Sequence, residues 1–326
     1  MGLRQGPLEG LVKTLGKKLI SIVIPAYNES DCVDELFHRL KNIFESESQY
    51  DFECVLVENG SEDDTFEKLE RIHKTDSRFK VLQLARNFRM DGGLTAGLSV
   101  IKGDACVLMT ADLQDPPELI PEFIRLWEQG FENIYGVVTR RDGISWIRAM
   151  NSKLFYWFAG KLTSGRITKN ASDFRLVDRK VYEAVNKMTE RNRFVRGLFA
   201  WVGFRSTGVE MIRPPRFGGV SNAHTFKVLD LAFKGIFAHS NLPLRFITVS
   251  GFALSAIAVV TLGIYVVSAI LYGVPFNGFG TLVSISLAGL AITTLLLGVI
   301  GEYLGLVYEE VKQRPNYVIS KRIGID

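Results

Sequence analysis

Between Phe246 and Gly301 the chain carries no Asp, Glu, Lys or Arg. No other feature restricts its fold so strongly. A helix of roughly 20 apolar residues crosses a bilayer core, and this stretch has room for two. The segment VPFNGFG divides it with Pro and Gly. The pattern predicts two transmembrane helices, about 246–274 and 279–303, in a membrane region 245–308. Arg245 precedes the first, and Lys312, Arg314, Lys321 and Arg322 follow the second, while the turn between them is uncharged. Lys and Arg collect on the cytoplasmic side. The expectation is a multi-pass protein of the inner (plasma) membrane, in contact with the lipid bilayer, with its polar parts in the cytoplasm.

Around that region charges are frequent. Residues 1–18 read as a basic lead-in without the apolar core of a signal peptide. Residues 225–244 alternate Phe, Val, Leu and Ile with Lys at near-helical spacing, which suits a juxtamembrane amphipathic helix. The segment 145–162, with Trp146, Phe155, Tyr156 and Trp157, has the same interfacial character. Residues 309–326 form a polar, cytoplasmic tail whose PNYVIS reads as an edge strand able to pair with another copy. That pairing would make the protein a homo-oligomer. A net charge of +4 is too small for a nucleic-acid binder, so no nucleic acid is expected as partner. Cys32, Cys54 and Cys106 lack metal-site spacing, and Cys54 and Cys106 lie in apolar runs, as small buried hydrophobes do.

Residues 19–224 alternate apolar strands with amphipathic helices. LISIVIPAY, FECVLVE, FKVLQLARN, DACVLM and ENIYGVVTRR are the strands, and the segments between them have helical period. Such alternation specifies an α/β fold with a doubly wound, mostly parallel sheet. Ligands of these sheets bind beyond the carboxyl ends of the strands. Polar clusters stand there: Tyr27 to Glu29, Glu58 to Ser61, Arg86-Asn87, and TADLQDPPE at 110–118. Neither GxGxxG nor a P-loop is present, which excludes the dinucleotide-binding version of the fold.

In order, the segments SIVIPAYNES, VENGSEDDT, LARNF, TADLQDPPE, SDFRLVDRKV, RNRFVRG and RPPRFGG resemble the family 2 glycosyltransferases of the GT-A fold. NLPLR before the apolar region and GEYLGLVYEEVKQRPNYV after it narrow the likeness to polyprenyl-phosphate glycosyltransferases. The resemblance implies transfer of a hexose from a nucleotide sugar, UDP-glucose by default, to polyprenyl phosphate such as undecaprenyl phosphate, with inversion. It implies Mg2+ or Mn2+ on the donor diphosphate, held by Asp112 with Gln114 as a neutral ligand, because a leaving nucleoside diphosphate accumulates charge. Asp115 is expected to cap the following helix instead. Pro25, Ala26, Tyr27, Glu29, Glu58, Ser61, Ala111 and Asp112 would bind the nucleotide sugar. Glu29 is also placed to cap the next helix. Asp173 and Asp112 would be the catalytic carboxylates. A phosphate monoester has its second pKa near 6 and is largely a dianion at neutral pH. Asp173 is therefore expected to position and stabilise rather than to act as general base. Arg140, Arg148, Ser152, Arg213 and Arg216 would hold the acceptor phosphate, with Arg191, Arg193 and Arg196 as further cations.

The chain departs from the family pattern in three places. Thr110 stands where a first carboxylate is usual, Glu58-Asn59 where Asp-Asp is usual, and Asn222-Ala223-His224 where a lysine is usual. Two alternatives stay open on these grounds. One is the same fold acting on another lipid or glycan acceptor. The other is a catalytically degenerate paralogue that binds nucleotide sugar or lipid.

Overall fold

The computed structural model describes residues 16–141, 171–191, 193–214, 242–273 and 278–325. They fall into two compact units: a sheet with its helices, including residues 315–325, and a pair of long helices.

In the first unit, β1 (Leu19–Ala26), β2 (Asp51–Glu58), β3 (Phe79–Leu84) and β4 (Ala105–Leu108) pair in parallel in the order β4-β1-β2-β3. Helices α1 (Ser30–Ser46), α2 (Thr65–Thr75), α3 (Arg89–Leu98) and α4 (Ile120–Glu128) connect or follow them. Nearly every residue of β1, β2 and β4 is buried, as expected of strands covered on both faces. One core joins α1, α2 and α4 to the sheet through Leu36, Leu40, Leu69, Phe79 and Phe123. A second lies under α3 through Val23, Val57, Leu82 and Leu94. A Cβ on Gly97 would lie 2.3 Å from the Val23 side chain, so only glycine lets α3 settle this close to β1.

The other half of the sheet is mixed. β5 (Asn133–Arg141) and β6 (Ala171–Asp178) are antiparallel to each other, β6 is antiparallel to β4, and β7 (Ser206–Arg213) is parallel to β5. Helices α5 (Arg179–Asn186) and α6 (Val195–Trp201) lie between β6 and β7. Finally β8 (Ile319–Ile323) pairs antiparallel with β3. The order β7-β5-β6-β4-β1-β2-β3-β8 has four parallel and three antiparallel pairings among the described residues.

PNYVIS leads into a strand that pairs with β3 of its own sheet, so that β8, rather than β3, forms the edge of that sheet. The Ala85 N–H donates to the Val318 carbonyl at 2.9 Å, and Lys321 reaches Glu70 at 3.2 Å. Backbone groups of β3 that would attract another chain are satisfied within this one.

In the second unit, α7 (Leu242–Tyr272) and α8 (Phe279–Lys312) touch each other and carry exposed Phe252, Ile257, Ile264, Leu282, Ile285 and Leu297. One segment among the described residues, Ile292–Lys312, meets the length and hydropathy expected of a membrane span, and none of it is buried. The helix runs past the predicted end of the second span to Lys312, where Gln313 at φ 51° stops it. The amphipathic segment 225–241, the aromatic segment 145–162, and the positions Arg148, Ser152, Arg216 and His224 lie outside the described residues.

Candidate active site

Sheet topology brings the polar clusters to one edge. The parallel strands β1, β2, β3 and β4 end there. Because β6 runs against β4, with Leu108 opposite Arg175, its first residues lie beside the exit of β4. Because β5 and β7 run against β6, they too end at this edge, with Arg141 opposite Arg213. The loop 109–116, Asp173, Arg140 and Arg213 thus share one rim although they are far apart in the chain. Only the backbone of Arg140, near the end of β5, is described.

The β4 exit loop is held by its own side chains. Thr110 Oγ1 lies 2.7 Å from Asp112 Oδ1 and 2.8 Å from Asp115 Oδ2, and the Thr110 N–H donates to Asp115 at 3.1 Å. The Gln114 N–H donates to Asp112 Oδ1 at 3.2 Å across Leu113, which has φ 58°. The Gln114 Nε2 donates to the Pro214 carbonyl at 3.3 Å, tying this loop to the exit of β7. Ala111 is buried, and Asp112 is only 4% exposed.

Asp115 does not cap the next helix. The short 3₁₀ turn Pro117–Leu119 and α4 both begin without a side-chain cap. Instead Asp115 is fully buried, accepts from Thr110 and from Ser172 Oγ at 3.4 Å, and faces Arg213 at 3.5 Å. Burial pushes its carboxyl above the usual range, against the pull of Arg213 and the Thr110 bonds. A turn residue read as a cap is therefore an anchor joining β4, β6 and β7.

On β6, Asp173 is clamped by Arg196 of α6, which donates from Nε to Oδ1 at 2.7 Å and from a terminal nitrogen to Oδ2. Burial works to raise this carboxyl, but the charge and bonds of Arg196, with Arg175 and Arg213 beyond, hold it below the usual range. Arg175 is itself buried, donates to the carbonyls of Ser172 and Asp173, and lies 5.1 Å from the Phe199 ring. Arg193, a candidate phosphate cation by sequence, serves another purpose. It donates to the Met188 and Val185 carbonyls at the end of α5.

On the β1 and β2 side, Pro25 and Ala26 are buried at the end of β1, Tyr27 is half-buried, and Asn28 turns the chain with φ 53°. Glu29 occupies the N-cap position of α1 without a side-chain cap bond. Glu58 is buried and accepts from the Ser61 N–H, while Ser61 Oγ accepts from the Asn28 N–H at 3.1 Å. These two side chains shape the loops around the rim. Asn59 explains one departure from the family pattern. Its Oδ1 accepts from Phe88 N and its Nδ2 donates to the Arg89 carbonyl, both at 2.9 Å, and an aspartate would lack the donor. Gly60, at φ 71°, brings this loop within 2.5 Å of the Arg86 backbone, measured from an ideal Cβ.

Asp91, in the first turn of α3, escaped sequence reasoning. Its Oδ1 accepts from the Val195 N–H at 2.9 Å. Burial pushes its pKa up to about 6, with Asp173 adding to the rise and the Val195 bond, Arg196 and Arg193 opposing it.

Residues 21–185 match the family described as glycosyl transferase family 2. An uncharacterised glycosyltransferase of Synechocystis sp. is 39% identical over 94% of this chain and 96% of its own. A prophage-derived bactoprenol glucosyl transferase of Shigella flexneri is 33% identical over 93% of this chain and 97% of its own. Among solved structures, glucosyl-3-phosphoglycerate synthase of Mycobacterium tuberculosis, crystallised with Mn2+, UDP and glucosyl-3-phosphoglycerate, is 18% identical. It aligns with a TM-score of 0.47 over 68% of this chain and 78% of that one. By the extent of the family match and of the relatives' identity, the chain belongs to glycosyl transferase family 2 and is a glycosyltransferase.

Proposed function

We propose that the protein is a membrane-bound, inverting enzyme that moves a hexose from a nucleotide sugar to the phosphate of a polyprenol on the cytoplasmic face. UDP-glucose is the donor to test first and undecaprenyl phosphate the acceptor. The observation that carries this reading is the Asp173–Arg196 clamp on the same sheet rim as the Asp112 loop and Arg213. An acceptor that is already a dianion needs no base. It needs cations and a fixed charge to orient it, and a carboxylate held ionised by arginine is suited to orientation rather than to taking a proton. The bactoprenol relative, similar along nearly its whole length, supports a polyprenyl phosphate as acceptor.

On this reading Arg213 belongs to the phosphate site, with Arg140, Arg148, Ser152 and Arg216. Pro25, Ala26, Tyr27, Glu29, Glu58, Ser61 and Ala111 surround the nucleotide, Glu58 and Ser61 by shaping its loops. A divalent cation, Mg2+ or Mn2+, would be held by Asp112, with Gln114 beside it and the donor diphosphate and water completing the shell. When bound it neutralises charge on the departing nucleoside diphosphate. Asp115, turned to Arg213, contributes by holding the loop. The helices α7 and α8 serve as two spans, supported by their exposed apolar side chains.

The test is incubation of the detergent-purified protein with undecaprenyl phosphate, a panel of UDP- and GDP-sugars, and Mg2+ or Mn2+. Mass spectrometry then seeks a glycosyl-phosphoryl-lipid. Product from UDP-glucose, lost in Asp112→Ala, is expected. Product that survives Asp112→Ala defeats the cation assignment.

A second reading, a non-catalytic paralogue that binds nucleotide sugar or lipid, is favoured by one observation. Among the described residues no three His, Cys, Asp or Glu side chains are grouped to hold a metal, and Thr110 spends its hydroxyl on Asp112 and Asp115. Absence of product with every donor and metal, alongside measurable UDP binding, selects it.

A further inference from the structure

Asp91 belongs to no motif that the sequence offered. The bond it makes spans 104 residues, from the first turn of α3 to Val195, the first residue of α6. A helix start leaves backbone N–H groups without partners. Phe194, at the cap position of α6, has no side chain able to accept them, and Asp91 supplies an acceptor from another helix. The negative charge also suits the positive end of a helix.

What α6 carries makes this bond matter. One residue after Val195 comes Arg196, which grips both oxygens of Asp173. One turn later Phe199 lies against the guanidinium of Arg175, and Arg175 in turn bonds the Ser172 and Asp173 carbonyls. Ahead of the helix, Arg193 bonds the end of α5. With seven residues, α6 is too short to hold its shape alone. Its place is set by these anchors, and Asp91 is the one that fixes its first peptide group.

We propose that Asp91 is a positioning residue for the transfer reaction. By holding the Val195 N–H it seats α6, and so fixes Arg196 and, through it, the Asp173 carboxylate. The inference rests on the reading above that Asp173 lies at the reacting centre. An error of about 1 Å in such a group costs on the order of a hundredfold in rate.

The test uses the full-length detergent-purified protein with UDP-glucose and undecaprenyl phosphate. Asp91→Ala is expected to lower kcat by roughly 10–100-fold, with the KM for UDP-glucose changed by less than about twofold. Asp91→Asn keeps the acceptor oxygen and is expected to recover most of the loss. Val195→Pro removes the N–H from the other side. Proline is tolerated at the first helical position, and Phe194, at φ -114° and ψ 88°, is already outside the helical region that proline disfavours before it. Val195→Pro should lower kcat as Asp91→Ala does, and the double variant should lose no more than either alone. Equal kcat in Asp91→Ala and wild type, while Asp173→Asn is inactive, overturns the role of Asp91 and leaves the reading of Asp173 intact. A fully active Asp173→Asn overturns that reading itself. Additive losses in the double variant also overturn the proposal. If Asp91→Ala does not fold, Val195→Pro alone decides by the same split of kcat and KM.

Discussion

A threonine hydroxyl carries one hydrogen, and Thr110 places it between two carboxylates at 2.7 and 2.8 Å. Asp112 and Asp115 compete for it, and the buried Asp115 depends on it because Arg213 stands 3.5 Å away. Thr110→Val keeps the shape and removes the donor. It is expected to destabilise the protein by about 1–3 kcal/mol, read as a lower urea midpoint with unchanged slope. Thr110→Asp restores the carboxylate that is usual in the family, beside one that burial already opposes. Its Tm should fall in EDTA, and added Mn2+ should raise it by more than it raises the wild type. Asp91 gives a pH dependence whose sign is fixed by its raised pKa. With the folded value near 6 and the ordinary value at 3.8, ionising Asp91 costs folding stability. The cost is complete above pH 6 and declines as pH falls toward 3.8. Asp91→Asn should therefore melt higher than wild type at pH 7.5, with the difference shrinking by pH 5, as thermal melts at both values will check. Asp173, held low by Arg196, remains a carboxylate throughout that range. No rise in rate between pH 5 and 8 should trace to its titration.

At the scale of elements, legibility followed burial. β1, β2 and β4 are apolar runs covered on both faces, and such runs are readable without a partner. β8 has the sequence ISKRI and is exposed through its middle; PNYVIS signals an edge strand at its start, but its partner, the edge of β3, is not written in the local sequence. β7 alternates exposed residues with buried or half-buried ones, Val209 and Met211 facing the core, and its contact with β5 decides its state. The loop TADLQDPPE was correctly placed at a strand exit. That Asp115 faces Arg213 rather than a helix start depends on registers between β4, β6, β5 and β7, which local spacing does not contain. Asp91 was invisible for the same reason, since its partner lies more than a hundred positions away. Removal of residues 315–326 should expose the edge of β3 and release Asn316, whose Nδ2 bonds the Glu190 carbonyl at 3.2 Å. The expected result is a lower Tm and concentration-dependent aggregation, followed by light scattering.

For the whole molecule, the apolar stretch that dominates the sequence supplies long helices, of which Ile292–Lys312 alone meets the criteria for a span among the described residues. The two-span proposal makes a direct prediction. The full chain should stay with the membrane pellet in both 1 M salt and alkaline carbonate, as washes followed by immunoblotting will show. Release by alkaline carbonate would reduce the attachment to a peripheral one. The sheet and its rim belong to the other unit, whose first strand begins at Leu19 and whose last ends at Ile323. That order has a consequence for biosynthesis. The ribosome delivers β3 long before β8, and both apolar helices emerge in between. The edge of β3 must wait, unpaired, until residues 319–323 are made. Completion of the sheet is thereby timed by synthesis of the apolar helices, and a nascent chain stalled before β8 presents an open sheet edge to chaperones.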